Sequence, residues 1–219
     1  MEEEKTEGLL LQAIPILGNQ KIIKVLTSHE GLVSLIVKSK TLLPFTTPFL
    51  IAEWVFTKGK KEIHSLKDAT LLNDLSFLKK DYPTISTAGQ IAQNLLKSQF
   101  PEKKGGGLYP LILAYLQKLP QFTSKETLLA SFRLKLLMHD GLLSLQNECS
   151  YCGATASFLN KGESCCKTHT MIDSIHFSPS EWETLHLLTF ARKFHPLQNI
   201  TLGEGLQGRI EQLFNASFG

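Results

Sequence analysis

Several things are missing from this chain of 219 residues. No apolar run reaches the length of a membrane span; "GLYPLILAYLQ" is short and interrupted. The start, "MEEEKTEGLLLQ", is acidic where a secretory leader is basic, and no cleavage-site pattern follows. The expectation is a cytoplasmic protein with no membrane partner. There is no G-x-x-x-x-G-K-[ST] phosphate loop, no G-x-S-x-G elbow and no H-E-x-x-H helix, so no engine for ATP hydrolysis is in view. Arginine is absent from the first 80 residues, although lysine is frequent there. Cysteine is absent everywhere except in one stretch, "CSYCGATASFLNKGESCCKTH", which runs from Cys149 to His169 and holds all four.

What remains is ordinary in bulk. The sequence is 42% hydrophobic and 20% charged with a net charge of +3, which suits a globular protein of one large or two modest domains. That net charge is too mild to establish a nucleic-acid partner by itself.

Two kinds of patterning divide the chain. Up to about Leu72 the runs are short, β-rich and broken at turn residues: "EGLLLQAIPIL", "QKIIKVLTSHEGLVSLIVKSK" and "PFLIAEWVFTKGKKEIHSLKDATLL". Gly31 suits a turn that needs positive φ. Leu50, Ala52, Trp54 and Phe56 alternate against Phe49, Ile51, Glu53, Val55 and Thr57, and both faces are largely apolar. Five short strands in about 70 residues predict a small closed barrel of OB or SH3-like type. Beyond Leu72 the spacing turns helical. "TISTAGQIAQNLLKSQ" and "LYPLILAYLQKL" predict two helices, joined by a linker through Gly105–Gly107. Thr123–Glu126 reads as a capping box opening "LLASFRLKLLMHDGLLS", with Gly141 as a stop. Ser178-Pro179-Ser180-Glu181 opens a further helix, and Thr201–Glu204 repeats the T-x-x-E sign before the last. "GEGLQG" matches G-x-G-x-x-G only formally, because no strand precedes it. His64, His186 and His195 stand singly, and Trp54 and Trp182 sit in apolar patterns as core residues. The fold class predicted is α+β and multidomain: a barrel at 1–76, then a helical domain at 77–219 with an insert at 147–172.

The insert has the spacing of a closed structural zinc site, in which two pairs of Cys or His ligands surround one ion. Cys149-x-x-Cys152 with Gly153 forms the first pair. The second comes from Cys166-x-x-His169, with Cys165 as the alternative to Cys166; adjacent cysteines diverge, so both are not expected on one ion. Disulfides are disfavoured in a reducing compartment. Free thiols in a degenerate insert and a cysteine nucleophile beside His139 or His169 are the rival readings. A catalytic zinc needs an open position and a nearby base. The deaminase signature of H-x-E followed by P-C-x-x-C is absent, so the reading is a structural ion.

Between Gly8 and Lys80 ten lysines face five acids. Lys21, Lys24, Lys38, Lys40, Lys58, Lys60 and Lys61 fall at strand ends and hairpin tips, which lie close together in a small barrel. A rim of this kind binds phosphates without reading sequence. The alternative is that the lysines solubilise turns and edges.

Taken in order, these segments resemble the RecO family of bacterial recombination mediator proteins. "EGLLLQAIPILGNQKIIKVLTSHEGLVSLIVKSK" is similar to that family's opening barrel, "PFLIAEWVFTKGKKEIHSLKDATLL" to its next strand pair, and "FRLKLLMHDGLLSLQNECSYCGA" to the helix leading into its C-x-x-C knuckle. The resemblance covers nearly the whole chain and rests on order and spacing. It implies an N-terminal OB barrel, a helical domain and a zinc-binding insert. It also implies a non-enzymatic function: binding single- and double-stranded DNA, annealing complementary strands and, with RecR, helping RecA displace single-strand-binding protein. Binding of that protein's acidic C-terminal tail is implied too; Arg133, Lys135, Arg192 and Lys193 are the candidates for it. There are departures. The family's denser basic run after the third strand is reduced here to Lys38 and Lys40. Its second C-x-x-C reads here as Cys165…Thr168 or Cys166…His169. The rival function is a protein-interaction adaptor with residual DNA binding.

Overall fold

The computed structural model describes residues 3–59, 62–100 and 107–218. The chain forms two compact units, 1–120 and 121–219.

The first unit begins with five strands: β1 (Glu3–Pro15), β2 (Lys21–Thr27), β3 (Leu32–Val37), β4 (Ile51–Thr57) and β5 (Ile63–Asn73). They close into a barrel in the order β1-β2-β3-β5-β4. β1 is long enough to serve two neighbours. Its first half pairs with β4, from Glu3 opposite Thr57 to Leu9 opposite Ile51, and its second half pairs with β2, to Pro15 opposite Lys21. The change of partner needs a bend. It comes at an irregularity between Leu10 and Gln12 and at Gly8, where a Cβ would stand 2.6 Å from Val25 Cγ1. β3 and β5 run parallel, Ser34 opposite Ile63, and seal the barrel. A 3-10 segment, Lys40–Thr46, lies between β3 and β4. This five-stranded closed order is an OB-fold, the more specific of the two barrel types expected.

Period-two alternation fills the interior. Ile23, Val25, Leu35, Leu50, Ala52, Trp54 and Phe56 all point inward and are buried. Trp54 is fully enclosed, and its indole N–H donates to the Gly8 carbonyl at 2.9 Å, so its one polar group is satisfied. Gly31 has φ of +73°, as its turn requires. Two helices complete the unit, α1 (Tyr82–Ser98) and α2 (Leu108–Lys118). α1 starts two residues earlier than its apolar pattern suggests. Asp81 caps it by accepting from Thr84 N at 2.8 Å, and a proline occupies the first turn. α2 is tied to the barrel by Tyr109, whose hydroxyl donates to Glu7 at 2.6 Å.

The second unit is built on α3 (Lys125–His139), α4 (Pro179–Phe190) and α5 (Glu204–Ser217), with α3 packed against both others. α3 is buried from Thr127 to Leu134 without a break, as befits the central helix. Its cap is Ser124, which accepts from Thr127 N, and not the expected Thr123, because the helix begins one residue later. It ends as expected at Gly141, φ +72°, in a Schellman turn with Gly141 N bonded to Met138 O and Leu142 N to Leu137 O. The Ser178–Glu181 capping box is present at α4. At α5 the T-x-x-E expectation fails: Gly203 is the cap and Glu204 the first helical residue. Gly205 and Gly208 of "GEGLQG" lie inside this helix, which disposes of a phosphate-binding turn there. The insert supplies β6 (Phe158–Asn160) and β7 (Glu163–Cys165), which form a small sheet with β8 (Ile175–His176), just beyond residue 172, in the order β7-β6-β8.

Candidate metal centre and basic surfaces

The insert sheet brings two turns together. The first is the Cys149–Gly153 turn, closed by Gly153 N to Cys149 O at 2.9 Å and Cys149 N to Ala154 O at 2.7 Å, with Gly153 at φ +76°. The second starts at Cys166 and is closed by His169 N to Cys166 O at 3.0 Å. A two-residue hairpin carries the chain from β6 to β7. Lys161 and Gly162 have φ of +47° and +87°, the pattern of a type I′ turn. Gly162 tolerates no side chain, since a Cβ would lie 1.9 Å from the Leu142 carbonyl oxygen.

Between the turns, the ligand atoms of Cys149, Cys152, Cys166 and His169 all lie within 4.8 Å of one another. Cys152 Sγ is 3.7 Å from Cys166 Sγ. His169 Nδ1 is 3.5 Å from Cys149 Sγ and 3.4 Å from Cys166 Sγ. Tetrahedral zinc with sulfur at about 2.3 Å and nitrogen at about 2.0 Å needs S···S near 3.8 Å and S···N near 3.5 Å. The donor set therefore fits one ion of this type. Burial pushes the Cys149 thiol up, but backbone N–H groups of Tyr151, Cys166 and Cys152 and the His169 ring outweigh it and bring the thiol down to about 6. Cys166 is also lowered; burial opposes the shift, and the His169 ring leads the groups that outweigh it. The His169 imidazole is raised, chiefly by its bond to Cys166 and then by Cys149. Cys152 shifts the other way: the Ala154 backbone N–H lowers it, but burial and the neighbouring Cys166 and Cys149 thiols outweigh that and raise it. Cys165 stands apart from the four. It ends β7 fully buried, burial pushes its thiol up, and it is not among the converging ligand atoms. Neighbouring residues on an extended backbone point to opposite sides, so only one of the two adjacent cysteines faces the centre.

The barrel lysines separate into groups. Lys21 begins β2 opposite Val37, the residue before Lys38, and its ammonium donates to Thr46 at 2.9 Å. Thr46 ends the 3-10 segment that Lys40 begins. Lys21, Lys38 and Lys40 thus gather at one end of the barrel, the last two exposed. Lys24 points outward from the middle of β2, between Gln12 and Ser34. Lys58 is engaged elsewhere: it bonds Glu4 at 3.0 Å and lies 3.7 Å from Glu30, and the Glu4 bond leads the causes that raise its pKa. Lys60 and Lys61 lie outside the described residues.

In the helical unit Lys135 donates to the carbonyls of Thr189 and Ala191 at 3.0 and 2.7 Å, so it caps the end of α4; burial lowers its pKa. Arg133 is buried on α3, lies 3.4 Å from Glu211 and is likewise lowered by burial. Arg192 and Lys193 are exposed just beyond α4. A cavity of about 350 Å³ beside the insert is walled by Ala156, Phe177, Pro179 and Trp182, with Glu183 among its lining residues. None of the four basic residues lines it.

Residues 1–75 match the family model described as Recombination protein O N terminal. That span ends two residues after β5, so it covers the barrel and nothing else. Beyond it, the chain is 28% identical to the DNA repair protein RecO of Chlamydia trachomatis serovar D over 95% of its own length and 90% of that protein. To the DNA repair protein RecO of Chlamydia pneumoniae it is 28% identical over 87% and 78%. The similarity to the protein of the same name from Anaeromyxobacter dehalogenans is 25% over 70% and 63%. These similarities support the RecO family for this chain. The relatives it resembles are named as DNA repair proteins, which supports a role in DNA repair and recombination.

The cysteine spacing in the sequence signals the centre. Two other features have no such local signal. The pairing of Lys58 with Glu4 and Glu30 joins residues 54 and 28 positions apart, and nothing local announces it. The Lys135 cap on α4 is equally non-local. The N-K-G hairpin, by contrast, carries a turn signal in the sequence.

Proposed function

We propose that this protein is a recombination mediator of the RecO type that acts by binding and annealing DNA and not by catalysis. The observation that carries the reading is the OB barrel with Lys21, Lys38 and Lys40 gathered at one end. Annealing consumes no nucleotide. It requires a cationic surface that neutralises two phosphate backbones and leaves the base edges free to pair. In this reading the barrel, 1–76, faces single- and double-stranded DNA, with Lys24 on its outer wall as a further contact. The helical part, 77–219, carries the partner contacts: RecR, the acidic tail of single-strand-binding protein and, indirectly, RecA. For the tail, exposed Arg192 and Lys193 are the better placed pair, since Arg133 and Lys135 are occupied within the unit. Cys149, Cys152, Cys166 and His169 hold one structural zinc ion that pins the insert. The site of action is the nucleoid; no helix among the described residues is long and apolar enough to cross a membrane.

The test is annealing of two complementary dye-labelled oligonucleotides without nucleotide, at several salt concentrations, with and without single-strand-binding protein. Acceleration that fades with salt is the expected result. No acceleration in any condition rejects direct annealing. The adaptor reading draws on one observation, the neutralisation of Lys58, which thins the barrel's free charge. It predicts binding to RecR with negligible salt-dependent DNA binding.

A further inference from the structure

We infer that the Cys3His centre is an oxidation-sensitive clasp, in which Cys152 and Cys166 close into a disulfide and release the ion. The release rests on the zinc reading above; the crosslink needs only the thiols. Cys152 is the exposed cysteine of the four, whereas Cys149, Cys165 and Cys166 are buried. An oxidant arriving from solvent therefore meets Cys152 first. Cys166 Sγ waits 3.7 Å away, at van der Waals contact. The two sulfurs belong to different turns, one closed by Gly153 N to Cys149 O and the other by His169 N to Cys166 O. A bond between them forms inside an arrangement that already exists.

The oxidant is a peroxide. The Cys152 thiolate attacks one peroxide oxygen, the O–O bond breaks, and a sulfenic acid and hydroxide result. The Cys166 thiolate then attacks the Cys152 sulfur and displaces a second hydroxide. One S–S bond has formed, the two sulfurs have given up two electrons, and the peroxide has been reduced to two hydroxides. The ion loses two of its four ligands, and Cys149 with His169 alone do not make a closed site. The disulfide meanwhile keeps the two turns together, so the insert is loosened without being severed, and a dithiol reverses the change.

The experiment uses the full chain, purified without oxygen from zinc-supplemented culture, with its metal content measured before any oxidant is added. Hydrogen peroxide is titrated in, released metal is read with a chromogenic chelator, remaining thiols are alkylated, and tryptic peptides are sequenced by fragmentation. Cleavage after Lys161 leaves Cys149 and Cys152 on one peptide and Cys165 and Cys166 on the other. The expected product joins Cys152 to Cys166, with one ion released per crosslink and full reversal by dithiothreitol. Cys165→Ala retains the crosslink. Cys166→Ser abolishes it and leaves a Cys152 sulfenic acid that a 1,3-dione traps. A dominant crosslink between any other pair, or Cys152 oxidised to the sulfonic acid with Cys166 still free, overturns the inference. Metal-free protein at the outset rejects the zinc reading alone, and the crosslink map still decides this one.

Discussion

Replacing Lys21, Lys38 and Lys40 together by alanine removes three cations from one end of the barrel. On single-stranded DNA the slope of log affinity against log salt is about −0.7 per phosphate neutralised, so the variant's slope should be shallower by about 2. Raising salt from about 50 to about 200 mM then costs the parent chain about twentyfold more affinity than it costs the variant, or about 1.7 kcal/mol. The structural penalty is small. Lys38 and Lys40 are exposed, and the bond from Lys21 to Thr46 is worth about 1 kcal/mol. Fluorescence anisotropy of a labelled oligothymidylate, titrated at four salt concentrations, gives both slopes. Lys58→Ala is the internal control: its charge is already shared between Glu4 and Glu30, so its slope should stay near the parent's. The reasoning is refuted if the triple variant keeps the parent slope, or if Lys58→Ala flattens it as much as the triple change does.

Three further predictions concern the helical unit. Gly162→Ala should destabilise by about 2 kcal/mol or more, because the left-handed backbone strain of roughly 1–2 kcal/mol is joined by a clash with the Leu142 carbonyl; Gly153→Ala, with nothing within 4 Å, should show the strain alone. Chemical denaturation of the two variants side by side separates the terms. Glu181→Gln should cost about 0.5–1 kcal/mol near neutral pH. The Ser178 backbone N–H, ahead of Arg209, holds the Glu181 carboxyl below its ordinary value of 4.5. Its contribution is therefore complete above that value and fades as pH falls through the lower folded one, so parent and variant melts should converge in acid. Cys149→Ser should lower metal affinity by about tenfold or more, measured by competition with a chelator, and should expose 147–172 to protease while the far-ultraviolet spectrum of α3, α4 and α5 persists. A catalytic role for the same cysteine would instead leave the protease pattern unchanged.

Much of the molecule was legible from local pattern alone. Alternation at Leu50, Ala52, Trp54 and Phe56 identified a barrel wall because side chains on a strand point to opposite faces in turn. Ser178-Pro-Ser-Glu marked the start of α4 because capping is settled within one helical turn. The C-x-x-C-G spacing marked a metal-type turn for the same reason, since the sulfurs and the glycine that turns the chain are neighbours. The T-x-x-E signs were weaker. Thr123 yielded to Ser124 and Thr201 to Gly203, because several residues near a helix start can serve as the cap and packing selects among them.

What the tertiary structure decided was which long-range partners meet. Composition counted Lys58, Lys135 and Arg133 as available positive charge, but folding placed Glu4 and Glu30 beside the first, the end of α4 beside the second and Glu211 beside the third. The same holds for Cys165 and Cys166. By sequence Cys166 was the expected ligand and Cys165 its alternative. The register of β7 against β6, set by the Lys161-Gly162 turn, buries one away from the other three thiol and imidazole groups and turns the other toward them. Local order follows from short-range sterics and hydrogen bonding, which the sequence spells out residue by residue. The pairing of charges and ligands depends on distances between segments, and those exist only once the chain has folded.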